Sequence, residues 1–204
     1  MGLYARTIFP WLCDVALDNA LVAQHRRQLL ADVQGTVLEI GFGTGLNLPC
    51  YSQHVQRITA VDPNAGMTRR AARRIGQSGI AVELCAVSGE QLPFEDGTFD
   101  SVVSTFTLCS VEWVDRAIAE VYRVLTLGGR FFLLEHGLSP DPSIQRWQRR
   151  LNGLQRRLAQ NCHLDRNMRE LLTRQPFRFV DLDEFYLERT PRTHGYLCRG
   201  MATK

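Results

Sequence analysis

Lysine is nearly missing from this sequence. Lys204 is the only one among 24 basic residues, and the rest are arginine. A lysine Schiff base or a lysine general base is thereby excluded. Cysteine pairs are missing too: Cys13, Cys50, Cys85, Cys109, Cys162 and Cys198 form no C-x-x-C and no metal-ligand spacing. Several sit in apolar runs and read as small buried thiols, so the chain is expected to be reduced and cytoplasmic, without a disulfide framework. No apolar stretch reaches membrane-spanning length, and the first residues lack a secretory apolar core with a small-residue cleavage site. A net charge of +3 is too mild to imply a nucleic-acid partner.

What is present is an alternation of apolar strands and amphipathic helices. Strands are expected at 36–41, 57–62, 80–85, 100–106 and 129–136. Helices are expected at 64–76, with Arg69, Arg70, Arg73 and Arg74 as a solvated face, and at 112–125, capped by Ser110 with Glu112 and Asp115 in the first turn. One helix is expected from about 8 to 30. After Pro140 and Pro142, helices at 143–160 and 166–174 precede two strand-like runs at 177–187 and 194–203. This order predicts an α/β, Rossmann-like, doubly wound and mostly parallel sheet of seven strands, the last antiparallel, with helices on both faces. It reads as one domain over 1–204: a helical lid at 1–34, a core at 35–138, and substrate-side helices with a C-terminal hairpin at 139–204.

The sequence VLEIGFGTG ends its strand in Glu39 and then holds Gly41, Gly43 and Gly45 at alternate positions. A dinucleotide fingerprint would need glycine where Leu46 stands, and no Gly-Lys-Ser/Thr follows for a P-loop. Asp62 closes the second strand, where a carboxylate can accept hydrogen bonds from ribose hydroxyls. Glu39, one strand over, can receive a cationic amino group. A ligand with a ribose, a positive charge and no pyrophosphate fits, and S-adenosylmethionine is such a ligand.

The ordered stretches VLEIGFGTG, AVD, SGEQLPFEDGTFDSVVS and EVYRVLTLGGRFFLLEHG resemble the class I S-adenosylmethionine-dependent methyltransferases. The resemblance implies that Glu39, Gly41, Gly43 and Gly45 line the methionine moiety and that Asp62, followed by Pro63, takes the ribose. It places Ser88 and Gly89 beside the adenine, with Ser88 standing where relatives usually carry an acid, and puts Thr105 at the end of the fourth strand in the cofactor site. Asp100 and Gly128–Gly129 read as fold markers, the glycines turning the chain before the fifth strand.

The acceptor is narrowed by absences. Thr105 to Ser110 reads TFTLCS, not an Asn/Asp-Pro-Pro-aromatic run, and no Pro-Cys nucleophile is present, so nucleic acid is not the expected substrate. TLCSV, LLEHG, Trp147, NCHLDR and RTHGYLCRG resemble the branch containing animal microsomal alkyl-thiol S-methyltransferases. That branch is related to ubiquinone/menaquinone-type and phospholipid N-methyltransferases. It implies a small lipophilic acceptor, preferably a thiol; N-methylation of a phospholipid such as phosphatidylethanolamine, or C/O-methylation of a quinone precursor, are the alternatives. His136 and Glu135 at the end of the fifth strand are the candidate catalytic pair, with His163 a weaker candidate. Cys109 and Cys162 lack a third ligand at recognisable spacing, so no metal is expected. The helix at 143–160 carries Ile144, Trp147, Leu151, Leu154 and Leu158 as one stripe among Arg146, Arg149, Arg150, Arg156 and Arg157. Its stripe is expected to pack on the domain, or else to dock on anionic membrane. Tyr4, Phe9 and Trp11 read as a lid over the substrate.

Overall fold

Four consecutive buried residues, Val37–Ile40, can exist only in a strand covered on both faces, and this strand, β1, is central to the sheet. The computed structural model describes residues 3–204. β2 (Arg57–Val61) and β3 (Ala81–Cys85) lie on one side of β1, β4 (Phe99–Thr105) and β5 (Leu125–His136) on the other, all parallel. β7 (Tyr196–Thr203) pairs antiparallel with β5, and β6 (Phe179–Tyr186) pairs antiparallel with β7 at the edge. The order β3-β2-β1-β4-β5-β7-β6 reverses direction between β1 and β4, and a crevice opens there at the carboxyl ends of the strands.

Alternation within the strands separates two apolar layers. Val37, Ile58, Ala60, Val103, Phe132 and Leu134 pack with Leu29 and Leu30 of α2 (Ala20–Leu30) and Ala71 of α3 (Ala65–Ser78). Leu38, Ile40, Val102, Phe131 and Leu133 pack with Ala117, Ile118, Val121 and Val124 of α4 (Val114–Val124) and with Leu171 and Leu172 of α6 (Met168–Thr173). Each fully buried side chain of this size contributes about 1.5–3 kcal/mol.

Several expectations are corrected. The N-terminal helix is broken: α1 (Phe9–Leu17) ends at Asp18, and the Asn19 side chain accepts from Val22 N to start α2. The arginine face of α3 is not simply solvated. Arg70 and Arg74 reach Asp14 of α1 at 2.9 and 3.2 Å, and Arg74 also reaches Asp18 at 2.9 Å. Ser110 does not cap α4. Its amide closes a turn on Thr107 O, and Trp113 takes the cap position with no side-chain bond, leaving only Asp115 in the first turn. β5 starts four residues early, so Gly128 bends the chain within it, at φ 78°, donating to Lys204 O. Asp100 holds Thr36 N at 2.8 Å, next to the start of β1.

The stripe of α5 (Pro142–Leu158) is the largest departure. Trp147, Leu154 and Leu158 are 53%, 58% and 56% exposed, so most of the seam faces outward. The helix is seated instead through a buried amide. Gln148 accepts from Ser139 N and donates to Gly137 O and Thr193 O.

Candidate functional site

The glycine loop leaves β1 with Gly41, Gly43 and Gly45 all at positive φ, a backbone that side chains resist. The three glycines do different work. A Cβ on Gly41 would lie 2.0 Å from Thr107 Oγ1, so the loop packs tightly against the turn after β4. A Cβ on Gly43 would meet nothing closer than Gly41 O at 3.8 Å, because that residue faces a cavity of about 570 Å3. Gly45 does not line the cavity; it packs toward Leu48, Phe42 and Ala71 in the core. Its expected place beside a ligand is therefore corrected to a packing role.

Asp62, at the carboxyl end of β2, accepts from Gly43 N at 2.8 Å and from Asn64 N at 2.7 Å. Burial pushes its pKa up, and these two amides pull it back. Pro63, Ser88, Gly89 and Thr105 also line the cavity. Ser88 donates to Glu90, whose other oxygen accepts from Trp113 N.

Glu39 is buried and accepts from Tyr51 OH at 2.7 Å and Asn47 Nδ2 at 2.9 Å. Burial raises its carboxyl to about 7 despite these bonds and the nearby positive charge of Arg26. Arg26, from α2, is 4% exposed and lines the same cavity. Its Nη1 donates to Asn47 Oδ1 at 2.5 Å and to Thr105 Oγ1 at 2.8 Å, while its buried Nε has no partner. Thr105 thus acts through Arg26. Nothing in the sequence pointed to Arg26, Asn47 or Tyr51: each is an ordinary residue until the fold closes around Glu39.

These features fit S-adenosylmethionine. A buried cation with an orphaned N–H suits a carboxylate, a buried carboxyl suits an ammonium group whose charge would favour its ionised form, and the open face of Gly43 leaves room for the chain between them.

A second cavity, of about 770 Å3, adjoins the first; Phe9, Cys13, Leu17, Phe106 and Ser110 line both. Tyr4, Leu12 and Leu197 extend its apolar wall, whereas Trp11 is 52% exposed and lines neither cavity. Cys109, His136 and Cys162 also lie in that wall. Cys162 Sγ stands 3.6 Å from Cys109 Sγ and 3.8 Å from His136 Nδ1. Contacts with Cys109 and with the imidazole of His136 hold the Cys162 thiol below its usual range. Burial works to lower the His136 pKa, but Cys162 outweighs it and the net shift is upward. His136 is the third side chain at this pair of cysteines, a neighbour that the sequence spacing did not reveal.

Glu135 is not placed to act on an acceptor. It is fully buried, and its carboxylate accepts from Ser104 Oγ, Thr107 N, Leu108 N and Cys109 N. It holds the turn after β4. His163 lines neither cavity; its amide donates to Cys109 O at 2.7 Å and its ring lies 3.7 Å from Asp165.

The methyltransferase-domain family model matches residues 38–133, the stretch from β1 into β5. The chain belongs to the S-adenosylmethionine-dependent methyltransferases. Within that class it is similar to thiol S-methyltransferase TMT1B of Rattus norvegicus, 31% identical over 192 residues, covering 87% of this chain and 78% of that protein. It is also similar to a phosphatidylethanolamine N-methyltransferase of Cereibacter sphaeroides, 37% identical over 116 residues, covering 54% of this chain and 57% of that protein. In fold it resembles an S-adenosylmethionine-dependent methyltransferase from Thermotoga maritima, with a TM-score of 0.70, 18% identity and 98% of each chain covered.

The raised Glu39 carboxyl has a stability consequence. A carboxyl whose pKa rises on folding binds its proton more tightly in the native state, so native stability falls as pH rises from about 4.5 to about 7. With about 1.4 kcal/mol per unit, the loss is on the order of 3 kcal/mol. Glu39→Gln retains an acceptor for Tyr51 and should remove that slope. Thermal melts of both proteins from pH 4.5 to 8, without cofactor, should show the wild type losing ground to the variant; parallel curves would mean that Glu39 titrates normally.

Proposed function

We propose that this chain methylates the sulfur of small lipophilic thiols. The observation that carries the reading is the second cavity, apolar in most of its wall and adjoining the cofactor cavity. Among the described residues its wall holds one carboxylate, Glu188, which is exposed to solvent, and two imidazoles whose Nδ1 atoms are already engaged, His136 by Cys162 and His194 by Thr193. An amine or hydroxyl acceptor must lose a proton to a base, whereas a thiol with a pKa near 8.5 is already partly ionised at neutral pH. Similarity to thiol S-methyltransferase TMT1B over most of both chains supports the same acceptor.

When bound, S-adenosylmethionine supplies an electrophilic methyl group on a sulfonium. In this reading Asp62 holds the ribose hydroxyls, Glu39 the ammonium and Arg26 the carboxylate, with Gly41 and Gly43 admitting the methionine moiety and Pro63, Ser88 and Gly89 facing the nucleoside. Phe9 and Phe106 stand between the two cavities and keep water from the line of attack, where positioning supplies much of the rate. The exposed Trp147, Leu154 and Leu158, flanked by Arg149, Arg150 and Arg157, form a surface for anionic membrane, from which a lipophilic acceptor would be drawn. Arg156 is set apart, because it lines the cofactor cavity.

Three measurements test these assignments. Asp62→Ala removes hydrogen bonds to a charged acceptor worth about 1.5–3 kcal/mol each, so calorimetry should show S-adenosylhomocysteine binding at least about tenfold weaker, with a cooperative melt retained. Unchanged affinity would leave Asp62 as a loop anchor alone. An acceptor panel of alkyl thiols, phosphatidylethanolamine and quinols, read by mass spectrometry, should yield methyl thioethers. Methylated amine or quinol products without thioether would transfer the reading to those acceptors. Sedimentation with phosphatidylserine-containing vesicles should carry the protein down at low salt, less so at high salt, and not at all once Arg149, Arg150 and Arg157 are glutamine. A protein that stays in the supernatant at low salt has no such surface.

A further inference from the structure

Cys109, His136 and Cys162 come from three separate segments, and the fold brings their ligand atoms to within 4.8 Å of one another. Cys109 sits in the turn after β4, His136 ends β5, and Cys162 follows α5. The backbone fixes this arrangement. Glu135 accepts from Cys109 N at 3.2 Å, and Cys109 O accepts from the amide of His163, next to Cys162, at 2.7 Å.

The spacing discriminates between chemistries. A tetrahedral site with metal–sulfur bonds of about 2.3 Å and metal–nitrogen bonds of about 2.0–2.1 Å separates two sulfurs by about 3.8 Å and sulfur from nitrogen by about 3.5 Å. The observed edges are 3.6 Å for Cys109–Cys162 and 3.8 Å for Cys162–His136. A disulfide would need the sulfurs to close to about 2.05 Å and would leave the imidazole without a part. Two thiolates and an imidazole, with no oxygen donor among them, select zinc over magnesium, calcium or manganese. Two thiolates also neutralise a divalent ion, which suits a site where both cysteines are buried. Three protein ligands leave one tetrahedral position, and all three residues line the acceptor cavity.

We propose that Cys109, His136 and Cys162 bind a zinc ion whose fourth position opens into the acceptor cavity and takes the sulfur of the substrate. The thiol displaces a water ligand, releases its proton to solvent, and stays on the metal as a thiolate. The metal site stands independently; the sulfur ligand rests on the thiol reading above. Zinc in this position does the work of a base and fixes the sulfur within the cavity.

The test uses the full chain, stripped with chelator under reducing, anaerobic conditions and titrated with cobalt(II) as the probe. One equivalent should bind, with intense thiolate-to-cobalt absorption and tetrahedral visible bands, and zinc should displace it. Cys109→Ser, Cys162→Ser and His136→Gln should each weaken zinc binding roughly a hundredfold or more in competition with a chromophoric chelator. Cys85→Ser, which alters a thiol outside the cluster, should not. Binding of S-adenosylhomocysteine reports that each variant is folded. Reduced, folded protein that takes up no cobalt, or takes it up equally well in all three variants, overturns the site; so does a Cys109–Cys162 disulfide in place of metal uptake. Addition of butanethiol should shift the visible bands. Bands that ignore butanethiol, or full thiol turnover by the metal-free protein, overturn the sulfur ligand while the thiol reading stands. Bands that respond in a protein that methylates no thiol uphold the metal site and sink the thiol reading instead.

Discussion

The carboxyl edge of the sheet depends on one buried carboxylate. Glu135 has no exposed surface, and burial alone pushes its pKa up. Three consecutive backbone amides, from Thr107 to Cys109, and the Ser104 hydroxyl aim at its two oxygens and pull that pKa back down. Hydrogen bonds to a charged group are worth about 1.5–3 kcal/mol each, which offsets much of the desolvation. The turn they hold serves both cavities. Thr107 closes against Gly41 on the cofactor side, and Cys109 faces His136 on the acceptor side. A carboxamide at this position would point an N–H at some of the same donors. The residue that looked like chemistry in the sequence is the anchor on which the placement of the chemistry depends.

The other constraint is the N-terminal strap. Asp14 of α1 accepts from Thr44 Oγ1 of the glycine loop at 2.6 Å and pairs with Arg70 and Arg74 of α3. Ala5 O accepts from Asn64 Nδ2, and Gly66 lies so close to Arg6 O that a Cβ would stand 2.2 Å from it. These contacts join the helix carrying Phe9 and Cys13 to the two loops that surround the cofactor cavity. Most of them are polar and only partly buried, so each contributes little alone.

How much of this was legible follows from what each residue contacts. The parallel strands, the helices between them and the terminal hairpin were readable because local apolar periodicity specifies them. The place of Glu39, Gly43 and Asp62 around one cavity was legible because strand ends and glycines mark a switch point wherever they occur. Gly45 was misread because alternate spacing cannot separate a glycine facing a ligand from one facing Leu48. The break at Asp18–Asn19 is not legible from periodicity, because the apolar pattern continues across it. Arg26, Asn47 and Tyr51 carried no signal, since their burial exists only after α2 folds onto the glycine loop. Cys109, His136 and Cys162 are separated by 27 and 26 positions, and only the fold brings together the turn after β4, the end of β5 and the segment after α5.

The outward stripe of α5 and the acceptor cavity are parts of one arrangement. Leu12 and Leu158 belong to the cavity wall and are also 38% and 56% exposed, so the cavity reaches the surface between α1 and α5. Tyr4 ties these elements together there, donating its hydroxyl proton to Leu158 O. Trp11 and Val15 on α1, 52% and 63% exposed, and Leu154 on α5 continue the apolar surface away from the opening. Seating α5 through Gln148 leaves its apolar side chains free and keeps the helix in register with Ser139 and Thr193. The exposed leucines and tryptophans cost apolar burial that the fold could have used. In the proposed reading that cost is offset by an apolar rim that would admit a lipophilic acceptor to the cavity.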